Sequence, residues 1–395
     1  MSNIVALKKF KPHYPHPDSP EFEQLKSAIR ELLDNIGGIE KFITSDKTVL
    51  IKPNIVMGMS PEKGATTHPS VFYAVIELIK ECNPKRIMAG DSPGIGSGRS
   101  AGEKAGLYEA AMKLGVDWVE FTPEEVTDDS RMFRRLRLAK EVLNADVVIN
   151  LPRLKTHGMM LLTCAMKNMF GSVIGVDKFH WHQRAGRDAK KFARMLYEIY
   201  RAAKPTISIV DAIISMDGTG PTHGTTNPTG FLAAGEDGCS VDAVMLKILR
   251  VNPSHYAMLQ AAEEMGDIKW KNCATVGDTI ESLHPAGWTW PLPHDASMVL
   301  GTRWMGKIKW IKSLQRKLFA TKPIITSNCT KCSICVRACP VQVMKLTTNK
   351  QNTESISINR DACIHCYCCH ELCPHGAIEL RHGILGRFFF RKTSH

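Results

Sequence analysis

The chain has 395 residues, 44% hydrophobic and 23% charged, the ordinary balance of a globular protein, and its length predicts two or three domains. Its formal net charge of +12 is concentrated late: residues 301–395 hold 16 Lys and Arg against 4 Asp and Glu, while the first 300 hold 35 of each. No zinc-finger, RNP or helix-turn-helix pattern accompanies that charge, no apolar run approaches the ~18 residues of a membrane span, and residues 1–10 show no signal peptide, so nucleic acid, a transmembrane segment and export are set aside and the cytoplasm is expected.

The first 300 residues alternate strand-like and helix-like segments, which predicts an α/β fold with a largely parallel sheet flanked by helices. Residues 49–52 read as a strand ending in Lys52-Pro53-Asn54, and a helix over 71–79 follows His68-Pro69. A strand over 86–90 ends at Asp91-Ser92-Pro93-Gly94, and 101–114 is the next helix. Residues 145–151 read as a buried strand before Pro152-Arg153-Leu154-Lys155-Thr156-His157-Gly158. Residues 207–214 repeat the theme, with Asp211 inside and Met216-Asp217-Gly218-Thr219-Gly220-Pro221 after it. The Gly-rich loop 94–99 matches neither the dinucleotide nor the Walker pattern and reads as a flexible loop, with anion binding by its amides the alternative.

Ligands of open α/β sheets sit at the carboxyl ends of the strands. Lys52, Asn54, Asp91, Ser92, Lys155, His157 and Asp217 all fall there. Lys155, Lys167, Lys52 and Asn168, with Asn54, form a set able to hold a carboxylate or phosphate of a substrate or cofactor; solvated helix-end charges are the alternative. Lys155 and His157 are the expected polarising groups, and Asp217 or His157 the expected proton carrier, since imidazole titrates near working pH. His180 and His182 have the i, i+2 spacing of one strand face, which would make them a ligand pair. Asp211, Asp217 and Asp242 offer oxygens to a divalent cation or serve as loop caps. Met159, Met160, Met166 and Met169 fill core or line an apolar pocket beside Lys155.

Residues 304–319 carry apolar residues at helical spacing amid Arg303, Lys307, Lys309, Lys312, Arg316 and Lys317, a basic amphipathic helix that packs on a neighbouring domain or touches a membrane peripherally. Phe388-Phe389-Phe390, flanked by Arg387, Arg391 and Lys392, forms a basic aromatic tail.

Two runs of one spacing follow the helix: Cys329-x2-Cys332-x2-Cys335-x3-Cys339-Pro340 and Cys363-x2-Cys366-x2-Cys369-x3-Cys373-Pro374. Three thiolates of such a run wrap one 4Fe-4S cube and the fourth ligates the other cluster. Cluster one is thus expected on Cys329, Cys332, Cys335 and Cys373, and cluster two on Cys363, Cys366, Cys369 and Cys339. Structural zinc is the alternative. Cys368 stands outside the pattern, and residues 344–348 and 355–359 alternate like a hairpin between the runs. The stretch resembles the bacterial dicluster ferredoxins, a small α+β fold whose members shuttle single electrons.

The succession Ile51-Lys52-Pro53-Asn54, Thr67-His68-Pro69, Asn150-Leu151-Pro152-Arg153-Leu154-Lys155-Thr156-His157, Met166-Lys167-Asn168-Met169-Phe170-Gly171, Val210-Asp211-Ala212, Gly218-Thr219-Gly220-Pro221 and Val241-Asp242-Ala243 resembles the family catalogued as domain of unknown function 362. The resemblance spans about 45 to 265 and implies an α/β domain, often followed by a dicluster ferredoxin module. The acidic residue before Gly218 is Asp217 where the family usually has Glu, a shorter reach for a metal or proton.

The expected organisation is an α/β domain over 1–300, a basic linker helix over 301–320, a ferredoxin-like domain with two 4Fe-4S clusters over 321–382, and the tail 383–395. The expected function is an iron-sulfur oxidoreductase passing single electrons to a substrate or cofactor on the α/β domain. A ferredoxin-like subunit that docks a redox partner protein, and a metal or cluster maturation scaffold, are the alternatives.

Overall fold

A computed structural model describes residues 3–291, 321–348 and 352–381. The linker helix expected over 301–320 and the tail 383–395 lie outside the described residues.

The large sheet is built from β1 (Ile4–Lys9), β2 (Thr48–Pro53), β3 (Arg86–Ala89), β4 (Asp117–Trp118), β7 (Val147–Leu151), β8 (Arg153–His157), β9 (Leu161–Thr163), β10 (Ile207–Asp217), β11 (Thr225–Asn227), β12 (Phe231–Gly235) and β13 (Ala274–Gly277). A separate antiparallel pair, β5 (Pro123–Thr127) and β6 (Arg135–Ala139), lies beside it. The strand order is β13-β1-β12-β10-β7-β2-β3-β4, with β8, β9 and β11 branching from β10. From β10 to β4 every neighbour is parallel, and β12 runs antiparallel to both β10 and β1. The parallel core is therefore as expected, with an antiparallel flank that the sequence did not announce.

Alternation along the strands divides the interior. Leu50 and Val148 face one apolar cluster, while Val49, Ile51, Val147 and Ile149 face another. Helices cover both faces, which is why these strands read as continuous apolar runs. The helix Phe22–Asp34 buries Phe22, Leu25, Ile29, Leu32 and Leu33, one stripe at i, i+3 and i+4 spacing. The helix Pro69–Glu81 starts with Pro at its first turn, and His68 Nδ1 accepts the amide of Ser70 at 3.2 Å.

Two local expectations fail. The helix expected over 101–114 is two, Gly98–Lys104 and Leu107–Lys113, parted at Gly106, whose φ of +69° no β-carbon residue adopts readily. His180-Trp181-His182 lies in the helix Asp177–Ala185, not a strand. On a helix i and i+2 diverge, so His182 is buried while His180 points outward, and they form no ligand pair.

β3 and β4 extend the sheet from β2 in one direction, and β7 and β10 extend it in the other. The order thus reverses between β2 and β7, the kind of switch point at which open α/β sheets take their ligands. Lys52, Asn54 and Asn150 stand at that point.

Residues 321–381 fold as two copies of one unit, 34 positions apart in the numbering. Strands β14 (Lys322–Ile325) and β17 (Ile378–Arg381) pair antiparallel, as do β15 (Met344–Thr348) and β16 (Glu354–Ile358). A single helical turn, Ile334–Arg337 or Cys368–Glu371, closes each cysteine run.

Candidate functional site

The two cysteine loops repeat each other in backbone conformation. Lys331 and His365 have φ of 61° and 56°, Ser333 and Tyr367 58° and 61°, and Gln342 and Gly376 52° and 59°. Left-handed residues on both sides of the second cysteine bend each loop around a centre, a conformation that L-residues hold only under constraint. The bends gather the crossed sets. One cavity is lined by Cys329, Cys332, Cys335 and Cys373, and the other by Cys339, Cys363, Cys366 and Cys369. The amides of Val343, His365 and Ala377 point at Cys339, Cys363 and Cys373 sulfurs at 3.4, 3.5 and 3.2 Å. Such donors stabilise thiolate and cluster charge, so these residues fit two cubes. The sites differ in exposure: Cys332 is open to solvent, whereas Cys366 and Cys369 are buried.

The second loop is the one that meets the α/β domain. Arg187 donates to the carbonyl oxygens of Asp361 and Cys363, both at 2.7 Å. Thr222 Oγ1 donates to Glu371 O at 2.8 Å, and a β-carbon on Gly94 would lie 2.7 Å from Leu372. The contact centres on Glu371, between Cys369 and Cys373. Its Oε1 lies 3.2 Å from Nε2 of the buried His157. His157 Nδ1 accepts the amides of Met159 and Met160 at 3.0 and 3.2 Å. An atom receiving two N–H groups carries no proton, so Nε2 carries it and donates to the carboxylate.

Around this pair the α/β domain places further basic side chains. Lys155 is buried on β8 and donates to Ala65 O at 2.6 Å. Burial, reinforced by Lys167 and Arg153, pulls its pKa well below the ordinary lysine value. Burial also lowers Lys167, against the attraction of Glu371 and Cys368. His182 stacks on Phe192 at 4.3 Å between ring centres, and burial holds it at about 3. For Glu371 burial acts upward, but His157, Lys167 and His182 together outweigh it and bring the carboxyl down to about 2.

The segment carrying Lys167 is itself held in place. Asp242 accepts the amides of Ala165 and Met166 at 2.7 and 3.3 Å and so caps the short helix Ala165–Asn168. Asn168 Nδ2 donates to Asn150 Oδ1 on β7 at 2.8 Å.

The structure thus sets His157 against Glu371, with Lys155 two residues back on β8 and with Lys167 and His182 near enough to act on the carboxylate's charge. It sorts the other expected residues differently. Lys52 is buried and ion-paired to Asp91 at 2.8 Å, so its charge is engaged within the protein. Asn54 and Asn168 are buried nearby, each with an Oδ1 that lacks a hydrogen-bond partner among the described residues. Asp217 accepts from Asn227 Nδ2 at 3.0 Å and Thr289 N at 2.9 Å, a set that holds the loop after β10. Asp211 pairs with Arg153 at 2.7 Å and accepts from Tyr14 at 2.6 Å. The three aspartates are thus separately engaged and form no common cation site. The amides of Gly98 and Arg99 already hold the Glu120 carboxylate, at 3.0 and 2.6 Å. Met160, Met166 and Met169 are core.

Glu371 is absent from the expected set because it sits inside a metal motif. The repeat held a signal: Glu371 occupies the place of Arg337 in the first copy, and Cys368 that of Ile334.

Residues 49–247 match the model of the family described as Domain of unknown function (DUF362), and residues 328–377 match that of the 4Fe-4S dicluster domain. The chain is 38% identical over 282 residues to a thylakoid-associated protein of Synechocystis sp., a match covering 71% of this chain and 83% of that protein. Among solved structures it is similar to the lactate racemase apoprotein from Thermoanaerobacterium thermosaccharolyticum, with 12% identity and a TM-score of 0.40 over 67% of this chain and 57% of that one. A protein from Thermotoga maritima gives 14% identity and a TM-score of 0.31 over 51% and 52%. The chain spans less than two thirds of either solved protein. With 9 cysteines in its segment, the dicluster match assigns two 4Fe-4S clusters, and the zinc alternative falls. No helix of the described residues is long and apolar enough to cross a membrane.

Proposed function

Because the chain belongs to the DUF362 family and carries a 4Fe-4S dicluster domain behind that fold, we propose that it is an iron-sulfur oxidoreductase that passes single electrons to a substrate or second cofactor held at the strand ends of its α/β domain. The observation that carries this reading is that Cys368–Glu371, the turn that presents ligand Cys369, packs through Glu371 onto the buried His157 of β8, 3.2 Å away.

In this reading Cys329, Cys332, Cys335 and Cys373 hold cluster one, and Cys363, Cys366, Cys369 and Cys339 hold cluster two. When bound, the clusters supply one-electron transfer at potentials set by their hydrogen bonds and burial. Lys155 and Lys167 bind and polarise the acceptor. Asn54 and Asn168 orient its polar edge through their free carbonyl oxygens. His157 holds a proton at Nε2 and steers Glu371, and burial keeps bulk water from the acceptor. Asp217 acts at one remove, by fixing the loop that begins at Gly218. The exposed Cys332 favours entry of electrons at cluster one and exit through cluster two. The basic excess of 301–395 suits an acidic redox partner at that entry.

Location is part of the same proposal. A cytoplasmic protein with peripheral membrane contact fits both the basic residues of 301–320 and a relative described as thylakoid-associated.

The test is Lys155→Ala in the fully loaded protein, with reduced clusters reoxidised anaerobically by small molecules from a source-cell extract. The reading expects reoxidation to be lost with cluster absorbance intact. Unchanged reoxidation would remove Lys155 from the site.

A further inference from the structure

The α/β domain grips the second cysteine run at its beginning as well as at Glu371, and that grip carries a full charge. Arg187 stands between the helices Asp177–Ala185 and Ala189–Ala203. It directly precedes Asp188, which caps the second helix by accepting the amides of Lys190 and Lys191, both at 3.0 Å. From this fixed point Nη2 donates to Asp361 O and Cys363 O, both at 2.7 Å, and Nε donates to Cys363 O at 3.1 Å. Two arms of one guanidinium thus converge on the peptide oxygen of a cluster ligand. Among the described residues Arg187 has no carboxylate partner, so no ion pair cancels its charge there.

The first run has no such grip. Cys329 occupies the place of Cys363, 34 positions earlier, and its carbonyl oxygen accepts no hydrogen bond among the described residues. The difference is electrical, because reduction adds one negative charge to a cluster, and hydrogen bonds and charge around its ligands set its potential. Glu371 brings a carboxylate to the far end of the second run, where His157 meets it as a neutral donor. Arg187 is the cation at the near end.

We infer that Arg187 is a positioning residue for the electron: while the domains are docked it raises the reduction potential of cluster two, and it thereby makes the domain contact redox-sensitive. The two effects are one by linkage, since docking that favours the reduced cluster is tightened by reduction through the same factor. The electron comes from cluster one, which is oxidised as cluster two is reduced. No bond forms or breaks, and no proton moves at Arg187, whose guanidinium stays charged throughout. Separation of the domains would withdraw the guanidinium and lower the potential, so cluster two holds its electron best when seated on the α/β domain. The inference needs the bound clusters and the observed contact, and no acceptor.

The experiment is an anaerobic potentiometric titration of the full-length protein with both clusters, followed by absorbance and electron paramagnetic resonance. Arg187→Gln keeps a donor for the carbonyl oxygens and removes the charge, whereas Arg187→Lys keeps the charge. Arg187→Gln is expected to lower one of the two midpoints by about tenfold in the reduction equilibrium, about 59 mV for one electron, and to leave the other in place. Arg187→Lys is expected to stay near the parent. Unchanged midpoints in Arg187→Gln, an equal shift of both, or a fall as large in Arg187→Lys would each overturn the charge's role. A second readout uses the unmodified protein and depends on no variant. Amide exchange over 361–365 is expected to be severalfold slower with the clusters reduced than oxidised, and equal or faster exchange on reduction overturns the redox-sensitive contact. Neither readout includes an acceptor, so failed electron delivery with the midpoint shift retained defeats the proposed function and not this inference.

Discussion

His157 donates through Nε2 to Glu371 while its Nδ1 receives the amides of Met159 and Met160, so one ring joins the α/β domain to the turn between two cluster ligands in a single tautomer. Protonating Nδ1 would set three N–H groups against one another. The imidazole is therefore a fixed donor at Nε2 in this arrangement. Burial agrees, since it lowers the His157 pKa, reinforced by Lys167.

His157→Gln retains a donor toward Glu371, whereas His157→Leu leaves the carboxylate facing an apolar group. Loss of a hydrogen bond to a buried charge costs about 1.5–3 kcal/mol. His157→Leu is expected to speed amide exchange across 368–372 severalfold, and His157→Gln to stay near the parent. Equal exchange in the two variants would deny the bond any part in docking.

Gly171 lies where nothing larger fits. A β-carbon there would sit 2.1 Å from Asp91 Oδ1 and 2.4 Å from Lys52 Nζ. Gly171→Ala is expected to part the buried Lys52–Asp91 pair and destabilise the fold by about 3 kcal/mol, read as a lower urea midpoint. A midpoint unchanged from the parent contradicts the packing.

Cluster crossing gives a prediction about iron. Cys373→Ala, in the second run, is expected to lose cluster one, and Cys339→Ala, in the first, cluster two. Each should keep about four irons of about eight, with different surviving electron paramagnetic resonance signals. Uncrossed ligation would exchange the two spectra.

Burial holds His68 at about 4, against 6.5 when free. The unfolded chain takes up this proton below pH 6.5 and the folded chain only near 4, so stability present above 6.5 is lost as pH falls through that window. His68→Asn keeps an acceptor for the amide of Ser70 and does not titrate. From pH 7.5 to 5 the parent is expected to lose about 1–2 kcal/mol more than the variant. Equal losses would mean that His68 takes up its proton in the fold as readily as in the unfolded chain.

What was legible in the sequence is what short-range geometry determines. A thiolate run wraps a cube within its own loop, so the cluster ligands follow from spacing. Parallel strands buried on both faces read as apolar runs, so the strand ending at Leu151 was legible, whereas Arg153–His157, read as the polar stretch after it, is the separate strand β8. What stayed hidden depends on partners far along the chain. Nothing near Lys52 announces Asp91, and nothing near His157 announces Glu371, 214 positions away. His182 was misplaced because i, i+2 spacing signifies a shared face only in a strand, and Gly106 divided a helix that apolar spacing ran together.

The most direct measurement follows reoxidation of the reduced full-length protein, anaerobically, by the small-molecule filtrate and by the protein fraction of a source-cell extract. The account predicts that the filtrate reoxidises the clusters and that Lys155→Ala and Lys167→Met abolish this while leaving cluster absorbance unchanged. Reoxidation by the protein fraction alone, indifferent to both lysines, would contradict it and make the α/β domain a docking module for a redox partner.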